Sequence, residues 1–118
     1  MGQRRPRRPE ESPSSPQSEL AELRARYRRE LPEKIRAVKE AAAVLGKVPD
    51  PQALEALHLL AHRLVGSAAI YGFGATSQAA AALEAVVVEA LYSPAAASDL
   101  WAQRMQTLVA ALERSAGD

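Results

Sequence analysis

His62 and Gly66 are the residues whose types and spacing first suggest chemistry, in the stretch AHRLVGSAAIYGFG at residues 61–74. They lie one helical turn apart. On a helical wheel drawn at about 100° per residue, His62 lies about 150° from the centre of the apolar stripe of the same helix. The imidazole should therefore point outward. Glycine inside a helix costs about 1 kcal/mol relative to alanine, so Gly66 requires a compensating role. The simplest role is steric, because a missing side chain lets another molecule approach the His62 ring.

An outward imidazole with no Ser, Cys or paired carboxylate beside it is suited to phosphoryl transfer. Free imidazole has a pKa of about 6.5, so its neutral, nucleophilic form is abundant at physiological pH. A partner would supply the metal ion and the charge stabilisation that phosphoryl transfer requires. The flank of the same helix is rich in hydrocarbon, which indicates a docking surface for that partner, formed by Leu59, Val65, Ala69 and Ile70.

The first helical region runs from near Ser18 to about Leu45 and contains Pro32. Proline inside a helix removes one hydrogen bond, so the pattern predicts either one bent helix or a short cap followed by a longer helix. Gly46 is suited to the left-handed residue that closes this region. The second helix should begin at Asp50, a capping carboxylate directly followed by proline.

The core face of the second helix and two further helices complete the predicted fold. The core stripe of the second helix contains Leu57, Leu60, Ala61, Leu64, Ala68 and Tyr71. After a tight turn at YGFGA, the third helix should run from about Thr76 to Leu91, and the last should end near Arg114 with Trp101 and Met105 as core residues. Short connections between such helices predict an all-α, antiparallel four-helix bundle with a kinked or split N-terminal helix.

Composition restricts where this bundle works and what it binds. Residues 1–16 combine proline, serine and charge, which predicts a disordered basic tail before a bundle over residues 17–115. The tail holds four Arg and two Glu, which leaves 11 basic and 12 acidic side chains elsewhere, so we expect no nucleic-acid binding. With no cysteine, no secretory signal and no apolar run of about 20 residues, we expect a cytoplasmic protein without a membrane span.

The stretch AHRLVGSAAIYGFG, followed by ATSQAAAALE, resembles the signature of histidine phosphotransfer (Hpt) domains. That signature runs roughly A-H-x-L-K-G-S-A, then a glycine and a later L-E, and the likeness extends over about residues 18–114. The matching residues are His62, Leu64, Gly66, Ser67, Ala68, Gly72, Leu83 and Glu84.

This resemblance implies a four-helix bundle in which His62 accepts a phosphoryl group from a receiver aspartate or a sensor histidine kinase and passes it to a response-regulator receiver. Such domains are carriers and not enzymes, and the partner provides the acidic pocket and Mg²⁺, so we expect no intrinsic cofactor and a monomer. The partner surface would add His58 and Arg63 to the apolar flank and Gly66.

One position departs from the signature, because Val65 stands where the family usually has a lysine that offsets the phosphoryl charge. A neighbouring cation contributes on the order of 1 kcal/mol at an exposed site, so its loss should weaken transfer and not abolish it. Lys34 or Lys39 on the first helix could substitute. Alternatively, Val65 marks a module that docks receivers or kinases without carrying phosphate, or the chain is a structural helical module.

The remaining polar residues have less specific interpretations. His58 and His62 could chelate a metal, but a zinc site needs three or four ligands and only carboxylates are left to complete one, so we predict no metal site. His58 is better interpreted as a rim residue of the docking surface. Ser67 and Gly72 should support the site structurally, Ser67 by bonding to the preceding helical turn and Gly72 by reversing the chain.

Overall fold

The computed structural model describes residues 16–45, 50–93 and 99–117. Over these ranges the chain is helical and contains no strand, which confirms the all-α prediction. The four helices are α1 (Pro16–Ala43), α2 (Pro51–Ile70), α3 (Gly74–Tyr92) and α4 (Asp99–Ala116). Residues 1–15 of the predicted tail and the predicted closing residue Gly46 lie outside the described residues.

Helix α1 runs through Pro32 without interruption, so the alternative of a short cap followed by a separate helix is wrong. Tyr27 and Leu31 precede the proline, Ile35 and Val38 follow it, and all four are buried on one face. The packing of this continuous apolar face offsets the hydrogen bond that proline removes, because most helical stability in proteins comes from tertiary burial.

Helix α2 begins and ends as local chemistry requires. Asp50 directly precedes Pro51 and has an extended backbone. Its carboxylate accepts a 3.1 Å hydrogen bond from the Ala53 amide. At the other end, Gly72 adopts a positive φ of 86°, which suits a residue without a side chain. The Phe73 amide then donates to the Ala68 carbonyl at 2.7 Å, which closes the turn into α3.

The four helices pack around one core, with α2 against α3, α3 against α4, and α1 against both α2 and α4. The early part of α1 meets the end of α2 where Tyr27 contacts Ser67, and the end of α4 meets the start of α3 where Ser115 contacts Thr76. These contacts show antiparallel neighbours. Trp101 is buried, as predicted, and its indole donates to the Val86 carbonyl at 3.2 Å.

None of the helices described is both long and apolar enough to cross a membrane.

Candidate functional site

His62 lies on the outward face of α2, as the helical wheel predicts. Its side chain is 68% exposed, whereas Ala61 and Leu64 on either side are buried in the core. The backbone of a core helix therefore holds the residue, while its ring is open to approach. An exposed ring on a rigid support is what a visiting reactive group requires.

Glu84 of α3 forms a hydrogen bond with this ring. Its Oε2 lies 2.7 Å from His62 Nδ1, a bond between side chains 22 residues apart in sequence. The preceding residue, Leu83, is fully buried, which fixes the rotation of α3 and directs Glu84 toward α2. A carboxylate accepts but does not donate, so the proton of the neutral ring lies on Nδ1 and the lone pair lies on Nε2.

The same carboxylate oxygen also binds His58. His58 Nε2 lies 3.1 Å from Glu84 Oε2, and the two imidazole rings are tilted with centroids 5.9 Å apart. His58 is half-buried, with 37% of its side chain exposed. The sequence predicted a rim residue at this position, and the structure adds a direct contact with the carboxylate that holds His62.

Gly66 is not required by the packing of the bundle. A Cβ built on this residue would meet nothing within 4 Å, and its backbone conformation is helical. An alanine would fit the isolated protein and would stabilise the helix by about 1 kcal/mol. The glycine therefore has no structural explanation within the described residues, which supports the interpretation that it leaves room for a partner.

The predicted partner-binding residues divide into two groups. Leu59 and Ile70 are 47% and 73% exposed, and Arg63 and Ala69 are exposed as well. Val65 is half-buried against the core, and its carbonyl accepts a 2.8 Å hydrogen bond from the Ser77 hydroxyl of α3. Val65 thus joins α2 to α3 more than it contributes to the outer surface.

Ser67 supports the site through a different contact from the one predicted. Its hydroxyl lies 2.6 Å from the Tyr27 hydroxyl of α1 and not against the preceding turn of its own helix. The Tyr27 ring stacks on Tyr71 at 4.8 Å and lies 5.4 Å from Phe73. Burial raises the pKa of Tyr27, and the hydrogen bond with Ser67 acts in the opposite direction. This cluster ties α1 to the end of α2.

Within the described helices, neither Lys34 nor Lys39 is paired with His62 or Glu84. Lys39 forms a 3.1 Å ion pair with Glu113 of α4, and the Lys34 ammonium lies 5.6 Å from the centre of the Tyr27 ring. Among the residues that the structure describes, the only groups paired with Glu84 are the two imidazoles, and Arg63 forms no ion pair. The suggested substitution by Lys39 is therefore wrong.

Glu84 is the site residue that sequence reasoning missed. It matches the glutamate in the L-E of the signature, but the sequence assigns it no role. The available signal was its position directly after Leu83, a core residue of α3, because such a neighbour projects along the edge of the helix that faces α2. The partner of that carboxylate could not be identified without the packing of the two helices.

A family model described as Hpt domain matches residues 22–117. No curated protein and no solved structure gives a significant match to the chain.

Proposed function

This chain belongs to the Hpt domain family, whose role lies in the phosphotransfer of two-component systems, and we propose that it carries the phosphoryl group on His62. It accepts the group from a receiver aspartate or a sensor histidine kinase and passes it to a response-regulator receiver. One observation carries the proposal: the exposed His62 ring is held at Nδ1 by Glu84, which leaves Nε2 as the ring nitrogen with a lone pair for attack.

The transfer step follows from this arrangement. The Nε2 lone pair attacks the phosphorus of an aspartyl phosphate, an N–P bond forms, and the P–O bond to the aspartate breaks with its electron pair leaving on the carboxylate. The ring gains positive charge as the bond forms. Glu84 stabilises that charge through the Nδ1–H bond, because hydrogen bonds between ionised partners are about twice as strong as neutral ones.

The partner provides what the bundle lacks. A receiver brings an acidic pocket and Mg²⁺, and it docks over Gly66 with Leu59 and Ile70 at the edge of the contact. In this proposal the chain is a monomeric, cytoplasmic carrier that contributes an oriented nucleophile and no catalytic cycle of its own. The exposed apolar side chains and the unexplained glycine support this docking face.

The test is label transfer from a phosphorylated receiver or an active kinase of the same organism. We expect an acid-labile, alkali-stable phosphoryl group on the wild-type chain and none on His62→Gln. His58→Gln is the matched control, since it removes the other histidine and should still take up label. Label that persists in His62→Gln would refute the assignment of the acceptor.

A second function is favoured by Val65. Because this residue is half-buried and neither first-helix lysine pairs with the site, the phosphoryl charge would lack its usual cation. A module that docks receivers or kinases without carrying phosphate fits that observation. A stable complex with a receiver, without label on either histidine, would establish this alternative, and the absence of both would favour a purely structural bundle.

A further inference from the structure

Three side chains with metal-binding atoms converge on the outward face of α2 and α3. One ring nitrogen of His58, one ring nitrogen of His62 and a carboxylate oxygen of Glu84 all lie within 4.8 Å of one another. Imidazole nitrogen and carboxylate oxygen are both ordinary ligands of Zn²⁺. The sequence predicts no metal site because two histidines are too few ligands. The fold supplies a third ligand, Glu84, from α3.

The distances approach those of a zinc centre. Ligand atoms bound tetrahedrally at about 2.0–2.2 Å lie about 3.3–3.6 Å from one another. Glu84 Oε2 is 3.1 Å from His58 Nε2, which is close to that range. It is 2.7 Å from His62 Nδ1, so metal binding requires these two atoms to move apart by roughly 0.6–0.9 Å. The exposed His62 ring is free to make the remaining adjustment, while Glu84, with only 19% of its side chain exposed, anchors the site.

We propose that His58, His62 and Glu84 form a binding site for a divalent transition metal of the Zn²⁺ type, and that the bound metal prevents His62 from accepting a phosphoryl group. Two imidazoles and one carboxylate, with a fourth position open to solvent, match the ligand set of open zinc sites. The inhibitory part rests on the proposed function, whereas the binding site does not.

The inhibition follows from the position of one proton. In the hydrogen-bonded state His62 carries its proton on Nδ1, which donates to Glu84, and its lone pair is on Nε2. A metal takes the Nδ1 lone pair, so the proton of the neutral ring moves to Nε2, and His58 likewise shifts its proton to Nδ1. No proton is gained or lost, but His62 Nε2 no longer has a lone pair with which to attack phosphorus.

The binding test uses the full, unphosphorylated chain and Zn²⁺ alone, titrated by calorimetry in a non-chelating buffer. We expect one Zn²⁺ per chain, with affinity reduced at least about tenfold in His58→Gln and in Glu84→Gln. Glu40→Gln is the matched control because it removes an exposed carboxylate of α1. Failure of the wild type to bind submillimolar Zn²⁺, or equal binding by all four proteins, would overturn the proposal.

A measurement on the unmodified chain removes any dependence on how the variants fold. On Zn²⁺ addition, the ring-proton NMR signals of both histidines should shift or broaden together, and chelator should reverse the change. Because His62 is exposed, His62→Gln is a second variant that should fold normally and lose affinity. Ring signals that do not respond to Zn²⁺ would contradict the site.

Inhibition is measured separately, by label uptake with and without Zn²⁺. Since Zn²⁺ could also act on the receiver, the informative comparison is between the wild type and His58→Gln, which should be less sensitive to the metal. Equal sensitivity would refute inhibition at this site. Absence of label in every sample would refute the carrier function and leave the calorimetric result standing.

Discussion

At the scale of single residues, the carboxylate of Glu84 determines which nitrogen of His62 is available. Removing it in Glu84→Ala frees the ring to rotate and to adopt the other tautomer. We expect the rate of phosphoryl acceptance to fall about tenfold, since a hydrogen bond to a charged group contributes about 1.5–3 kcal/mol and exposure reduces that value. Rapid-quench label uptake would measure the loss.

Glu84→Gln separates orientation from charge, because an amide oxygen still accepts the Nδ1–H bond. It should retain more activity than Glu84→Ala, and both variants should keep the circular dichroism of the wild type. An unchanged rate in Glu84→Ala would show that Glu84 does not orient the ring.

Gly66 offers a test in which stability and function change in opposite directions. Gly66→Ala should raise the free energy of unfolding by up to about 1 kcal/mol, since the added methyl enters open space within a helix. It should also weaken the complex with a receiver, because the methyl occupies the space left for the partner. Urea denaturation and a binding titration provide the two measurements.

Gly74→Ala is the matched control for Gly66→Ala. A Cβ at Gly74 also meets nothing within 4 Å, but this residue begins α3 and lies outside the predicted partner surface. Receiver affinity should therefore stay at the wild-type value. Equal affinities for the Gly66 variant and the wild type would remove the steric explanation of the glycine.

The burial of Tyr27 predicts how the free energy of unfolding depends on pH. Burial raises the pKa of Tyr27 above its ordinary value of 10.0, with the hydrogen bond to Ser67 opposing part of the rise. A group whose pKa is raised on folding stabilises the native state below its unfolded pKa and loses that contribution as the pH rises through the folded pKa. The free energy of unfolding should therefore decline above about pH 10.

Tyr27→Phe tests this dependence. The variant should lose about 1 kcal/mol of stability at neutral pH because it lacks the hydrogen bond to Ser67. Its free energy of unfolding should also decline less steeply above about pH 10 than that of the wild type. Denaturation at a series of pH values measures both effects. Parallel pH profiles for the two proteins would contradict the assignment.

At the scale of elements, Pro32 destabilises α1 locally, and the buried face of α1 compensates for it. Pro32 is exposed and interior to α1, where proline is about 3 kcal/mol less favourable than alanine. Pro32→Ala should raise the free energy of unfolding by about 2 kcal/mol, because a more flexible unfolded chain offsets part of the gain. Chemical denaturation measures the change, and a destabilised variant would show that α1 depends on the proline geometry.

Helical periodicity predicted the elements better than it predicted their ends. The apolar spacing gave the number of helices, and the Asp50–Pro51 pair gave the start of α2. The third helix begins at Gly74 and not near Thr76, because the Phe73 carbonyl accepts the Ser77 amide at 2.9 Å. The YGFGA pattern predicts a turn containing both Gly72 and Gly74, but of these two Gly72 has the positive φ that suits glycine, and Gly74 is the first residue of α3.

At the scale of the whole molecule, the outward direction of His62 was predictable from one helix, whereas its environment was not. The contact between Glu84 and the two histidines depends on the register of α3 against α2, which no local pattern specifies. The same limit explains the error over Lys39, since its partner Glu113 lies 74 residues away on α4. Single-helix geometry predicts faces, and the packing of several helices determines the contacts across them.

The charge of the whole chain predicts how receiver binding responds to salt. The formal net charge is +1, and the exposed side chains beside the site include Leu59 and Ile70. Since salt screens charge interactions and leaves apolar contacts in place, receiver affinity should change only about threefold between low and physiological ionic strength. Binding titrations at the two salt concentrations test this, and a steep loss would place Arg63 at the centre of the interface.

His62, the proposed nucleophile, and Glu84, which binds its ring, lie on two consecutive helices, α2 and α3, joined by only three residues, Tyr71 to Phe73. His62 and Glu84 thus belong to one helical hairpin, and α1 and α4 support that hairpin by packing against it. Substitutions on the outer surfaces of those two supporting helices can accumulate over evolution without altering the geometry of the pair, so the chemistry can be inherited intact while the rest of the exterior diverges.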